Sequence, residues 1–199
     1  MTDLDLVTSE NLRQVVTLLA PRSVVLVGLM GAGKSAVGRR LAARLSLPFV
    51  DADAEIEKAA GCSIADIFET YGEEAFRDCE RRVIRRLLGE PSQVLATGGG
   101  AFMNPETRSV IKKEGLSLWL RAPLHILVER TSRRDTRPLL RTGNPSEILQ
   151  DLMNQRYPVY GQSDLVVDTT EESADHTTEL AIHTLFAYLS STQGETPTP

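Results

Sequence analysis

Five short apolar runs punctuate this chain: SVVLV (23–27), PFVDAD (48–53), VLA (94–96), LSLWL (116–120) and DLVVD (164–168). Each is too short to make a helix and is rich in residues that suit a buried strand. Between the runs, apolar residues recur every three or four positions, the rhythm of a helix with one buried face. The spacing predicts helices over 9–19, 34–45 and 54–61, and another after a capping box formed by Ser63 and Asp66. Gly72 interrupts the pattern; GEEAFRDCERRVIRRLLG then reads as a long helix closed by Gly89. Further helices follow Pro105, span 123–132 and 146–156 with a stop at Pro158, and run from the last strand to about Leu189.

Strands that alternate with helices predict an α/β domain around a mostly parallel sheet. No internal repeat or linker divides the chain. Residues 1–20 read as a helical N-terminal extension, 21–190 as one domain and 191–199, SSTQGETPTP from 190 on, as a disordered tail. Residues 133–145 lack periodicity and carry several arginines, Gly143 and Pro145, so they read as a mobile loop.

Composition narrows the function. The 199 residues are 41% hydrophobic and 25% charged, which suits one globular domain with a real core. No segment reaches the ~18 apolar residues of a membrane span, and the acidic start MTDLDLVTSE is unlike a secretory signal. Cys62 and Cys79 form no metal or redox pair, so a reducing cytoplasmic setting is expected. A net charge of −5 argues against a dedicated nucleic-acid binder. Arginines nevertheless crowd 77–86 and 130–141. Local clusters in an acidic protein suit a small anionic ligand, because guanidinium matches carboxylate and phosphate; the alternative is a set of solvated helix faces.

Candidate chemistry starts at GLMGAGKS (28–35), which fits G-x-x-x-x-G-K-[ST] between a strand and a helix. In such a loop, the backbone N–H groups of Gly31, Ala32, Gly33, Lys34, Ser35 and Ala36 cradle the phosphates of a nucleoside triphosphate. Lys34 would reach the β- and γ-phosphates and Ser35 would hold Mg²⁺. No N-K-x-D string for guanine recognition occurs. The length suits a small-molecule kinase better than one module of a larger ATPase.

Asp51 and Asp53 follow the second strand, where open α/β sheets bind ligands. One would order Mg²⁺ and its waters, and the other would accept a proton from an attacking hydroxyl. Alternatively, Asp53 caps the next helix. Asp168 also ends an apolar run and is a weaker metal candidate. The alternative readings make Arg77 only the helix partner of Glu73, Arg156 only a complement to its helix C-terminus and Arg137 only an exposed charge. A second glycine run, Gly98 to Gly100, ends the VLA strand; glycine there admits a close neighbour.

Taken together, GLMGAGKS, DADAEI, GEEAFR, TGGGAF, RPLL (137–140) and RYPVY (156–160) resemble the shikimate kinase family, over about Val24 to Thr170. The resemblance implies an NMP-kinase-like P-loop fold with a central five-stranded parallel sheet. It implies transfer of the ATP γ-phosphate to the 3-hydroxyl of shikimate, on the way to chorismate and the aromatic amino acids. It places the substrate hydroxyl on Asp53, the metal near Asp51, the substrate carboxylate on Arg77 and Arg156, and a backbone contact at Gly99. It assigns Arg137 to a lid, about 131–145, that faces the ATP phosphates. Arg130 is a candidate to stack on adenine. A monomer is expected. Ala36 stands where many relatives carry Thr, the 1–20 extension is unmatched, and TTEES (169–173) lies in a variable region. The alternatives are a gluconate kinase of similar fold and an ATP-binding regulator.

Overall fold

A computed structural model describes residues 8–132 and 144–192. Its sheet contains β1 (Ser23–Val27), β2 (Phe49–Asp51), β3 (Val94–Ala96), β4 (Gly115–Arg121) and β5 (Leu165–Asp168). The strands lie in the order β2-β3-β1-β4-β5, and every pairing is parallel. Parallel strands need crossovers, so helices flank the sheet. The chain leaves β1 on one side to build β2 and β3 and returns on the other to build β4 and β5. That reversal opens a crevice at the carboxyl ends of the strands, beside β1.

All five residues of β1 are buried, as expected of the strand at the centre of a covered sheet. Helix α2 (Lys34–Leu45) crosses close to it. At Gly38 a Cβ would stand 2.6 Å from the Phe49 ring and 2.9 Å from a Leu26 methyl, so a mid-helix glycine is the condition of that approach. Helix α1 (Ser9–Leu19) packs on α8 (Ala174–Ser191), and its Val15 and Leu19 are fully buried.

Several boundaries differ from the expected ones. β2 stops at Asp51, and α3 (Ala52–Ala60) begins at once, so Asp53 belongs to a helix and not to a strand end. Helical residues run through Ile64–Leu88 as α4, broken at Gly72, whose φ of 81° and ψ of 175° no helix contains. Helix α5 (Pro105–Glu114) follows a short 3₁₀ turn at Ala101–Met103. Thr131 and Ser132 finish α6 (Leu124–Ser132), and Pro145 opens α7 (Pro145–Tyr160), so both edges of the expected loop are helical. Residues 133–143, with Arg137, lie outside the described residues, as does most of the expected tail. α7 continues through Pro158 to Tyr160 instead of stopping. The missing proline N–H falls in the last turn, and Tyr157 and Tyr160 pack against Trp119 there.

Burial of α1 has a measurable consequence. Leu19→Ala should cost about 2–5 kcal/mol of stability through lost burial and the cavity it leaves, while turnover at low temperature changes little. Chemical denaturation with a parallel activity assay checks this; unchanged stability would mean that α1 is not part of the core.

Candidate active site

The loop between β1 and α2 curls around empty space. Gly31 has a φ of +83°, and a Cβ on it would press 3.1 Å from a Thr131 methyl and 3.2 Å from the Leu127 carbonyl. Gly33, the residue before α2, offers no side-chain cap, so the first N–H groups of that helix remain for an anion. Lys34 folds back over the loop and donates from Nζ to the carbonyls of Gly28 at 2.7 Å and Leu29 at 3.0 Å. Gly31, Gly33 and Lys34, with Ala36, Asp51, Asp53, Thr97, Gly99 and Arg130, line a cavity of about 430 Å³.

Of the two aspartates, Asp51 and not Asp53 caps the helix. Asp51 caps α3 by accepting from the Asp53 backbone N–H at 3.2 Å, so Asp53 is not the cap. The other Asp51 oxygen accepts from the Ser35 hydroxyl at 2.9 Å. A hydroxyl and a carboxylate side by side next to the phosphate loop form a hard-oxygen pair, which fits Mg²⁺. Asp53 faces the cavity from the first turn of α3.

The second glycine loop meets charged side chains. A Cβ at Gly98 would lie 2.7 Å from Glu80 Oε1 and 2.8 Å from Asp53 Oδ1, and one at Gly100 would lie 2.6 Å from the Arg77 guanidinium. Neither has a left-handed φ, so what glycine provides there is room: a side chain would push the Glu80, Asp53 and Arg77 head groups out of place. At Gly99 a Cβ would make ordinary contacts, 3.5 Å from Arg156 Nη1 and 3.7 Å from both the Gly28 carbonyl oxygen and the Met30 nitrogen, and Gly99 itself lines the cavity. All three glycine carbonyls are occupied. Ala101 N–H donates to Gly98, Met103 N–H to Gly100, and both Arg156 and the Tyr160 hydroxyl to Gly99. The three glycine N–H groups donate to no protein acceptor among the described residues.

Arg77 does pair with Glu73, at 3.2 Å, as its helical spacing allows, but Nη1 also binds Glu80 at 2.8 Å and stands beside Gly100. Arg156 reaches the Gly99 carbonyl at 2.8 Å rather than its own helix end. Arg130 donates to the Thr170 carbonyl at 2.8 Å along one wall of the cavity. Asp168 does not join the site: it forms a two-pronged pair with Arg121, which holds its carboxyl below the usual range, and lines no part of the cavity.

Two site residues went unread in the sequence. Glu80 is 3% exposed and sits within an arginine-rich helix that looks solvated. Burial pushes its carboxyl above the ordinary value, against the pull of Arg77; nearby Asp53 pushes the same way and Arg156 opposes it. The three-residue step from Arg77 was the available signal. Tyr160 is fully buried, and burial pushes its phenol up to about 12.

The raised Glu80 carboxyl gives a signed pH prediction. Its stabilising contribution is fully present below about 4.5, the unfolded value, and is lost as pH rises through the higher folded value. Native protein should therefore gain stability relative to Glu80→Gln as pH falls from 7.5 towards 4.5, read by urea denaturation at several pH values. A difference that does not change with pH would contradict the assignment.

Comparison with known proteins bears on this geometry. Residues 30–186 match the shikimate kinase family model. The chain is 57% identical over 168 residues to a shikimate kinase of Paramagnetospirillum magneticum, covering 84% of this chain and 86% of that protein. It is 51% identical over 185 residues to one of Brucella canis, covering 93% and 91%. The solved structure of an Acinetobacter baumannii shikimate kinase in complex with shikimate superposes with a TM-score of 0.80 at 38% identity, covering 89% of this chain and 98% of that one. With two glycine loops on adjacent strands and the charged side chains gathered between them, the chain belongs to the shikimate kinase family.

Proposed function

We propose that this protein transfers the γ-phosphoryl group of ATP to the 3-hydroxyl of shikimate, giving shikimate 3-phosphate and ADP. The observation that carries the reading is the cavity itself. It has a phosphate cradle at one end and, at the other, Asp53 and Gly99, with Arg77 and Arg156 beside the same glycine run.

The chemistry follows from the placement of these groups. The N–H groups of residues 31–36 and the start of α2 receive the phosphates. Lys34 exchanges its two carbonyl partners for the β- and γ-phosphates. Ser35 and Asp51 would hold Mg²⁺, which would supply positive charge to the phosphate oxygens. Shikimate enters from the other end, its carboxylate meeting the forks of Arg77 and Arg156. Its ring lies on Gly99, where free N–H groups donate to ring oxygens. Asp53 accepts the proton of the 3-hydroxyl as that oxygen attacks the γ-phosphorus and the bond to the bridging oxygen of ADP breaks. The family pattern assigns Arg137, which lies outside the described residues, to the ATP phosphates, where a guanidinium adds positive charge. The enzyme works as a cytoplasmic monomer on a small-molecule substrate, in the route to chorismate.

Three substitutions test the roles separately. Asp53→Asn should lower turnover by about 10²–10⁴-fold while ATP binding changes little. Arg77→Ala should raise the shikimate KM strongly and leave the ATP KM near native, because it removes one partner of a charge pair. Lys34→Ala should abolish turnover in a folded protein. Steady-state kinetics with both substrates varied reads all three. Near-native kcat in the Asp53 variant, or an unchanged shikimate KM in the Arg77 variant, would contradict the proposal.

A further inference from the structure

Tyr160 ends α7 with its ring fully buried and its hydroxyl on the Gly99 carbonyl. Three aromatic neighbours hold that ring: Phe102 at 6.4 Å, Trp119 at 5.8 Å and Tyr157 at 6.2 Å between centroids. They come from the 3₁₀ turn after the glycine loop, from β4 and from α7 itself, so two elements besides its own helix hold the ring. The Gly99 carbonyl also accepts from Arg156. In a planar trans peptide the carbonyl and the following N–H point in opposite directions. Fixing the Gly99 oxygen therefore fixes the direction of the Gly100 N–H.

Arg156 cannot secure that peptide alone. It is also a proposed ligand of the substrate carboxylate, and a guanidinium that turns towards an anion loosens its grip on a neutral carbonyl. The Tyr160 hydroxyl lies against Arg156 as well as the Gly99 carbonyl, but no substrate group competes for it. Burial keeps its phenol protonated to about 12, so it remains a donor at every working pH.

We propose that Tyr160 is a positioning residue for the acceptor, holding the Gly99–Gly100 peptide in place while Arg156 engages the shikimate carboxylate. The inference rests on the acceptor site proposed above. A tyrosine that only satisfied a buried carbonyl would affect stability alone; a positioning residue must affect one substrate and not the other.

Tyr160→Phe keeps the ring and removes the hydroxyl. The expected result is a shikimate KM raised roughly threefold to tenfold, the worth of one hydrogen bond, with kcat and the ATP KM near native. Thermal unfolding measured alongside reads any separate structural effect. An unchanged shikimate KM in the folded variant overturns the inference, whatever the shift in Tm. Arg77→Ala serves as the parallel control. If it raises the shikimate KM and Tyr160→Phe does not, the Tyr160 role alone fails. If Arg77→Ala leaves that KM unchanged, the acceptor site is wrong and the Tyr160 role falls with it. A second readout needs no variant. The buried Tyr160 hydroxyl proton, assigned through its own ring protons in NMR, should shift on addition of shikimate and stay in place on addition of ADP alone. A resonance indifferent to shikimate also overturns the inference.

Discussion

The parallel pairing of β1 with β3 governs this molecule. Each strand runs out into a glycine loop, and the register Leu26↔Ala96 sets how far apart those loops lie. Thr97 fastens the junction, its N–H and its hydroxyl both donating to the Leu26 carbonyl at 3.2 and 2.9 Å. A phosphate cradle and an acceptor wall are thereby held on neighbouring strand ends. A Cβ added at Gly99 would already touch the P-loop backbone, 3.7 Å from the Gly28 carbonyl oxygen and from the Met30 nitrogen. A direct transfer between two bound molecules needs such proximity, because the reacting atoms must be held almost in contact.

Charge is concentrated where backbone bulk has been removed. Asp53, Glu80 and Arg77 all crowd the Cβ-free faces of Gly98 and Gly100. Burying a carboxylate is expensive, and pairing offsets that cost only when the geometry is good. Glu80 reflects this balance: one oxygen binds Arg77, while the other has no hydrogen-bond partner among the described residues. Stability is thus sacrificed locally at the site, the usual place for strongly perturbed groups. The compensation lies in the apolar core on both faces of the sheet, where β1, α2 and α8 bury their side chains.

What was legible in the sequence was local. The strand, the G-x-x-x-x-G-K-S loop and the helix after it lie within about one βα unit, and Ser63 with Asp66 forms the capping box that its spacing predicts. What was not legible depends on distant partners. The D-A-D string fits a cap at either aspartate, and only where β2 ends decides for Asp51. Pro158 reads as a stop, yet the aromatic contacts of Tyr157 and Tyr160 with Trp119 carry the helix past it. Glu80 and Tyr160 converge with Gly98–Gly100 only after β3 is laid beside β1 and α7 has packed against β4. No spacing within either segment encodes that meeting.

The most direct test of the central claim is acceptor choice. Purified full-length protein with Mg·ATP should be offered shikimate, gluconate and nucleoside monophosphates in turn, with ADP release followed and the product's phosphorylated position identified by ³¹P and proton NMR. The account predicts rapid ADP release with shikimate only and a phosphate on its 3-oxygen. Comparable turnover with gluconate or a nucleoside monophosphate, or ADP release that shikimate does not stimulate, would contradict it.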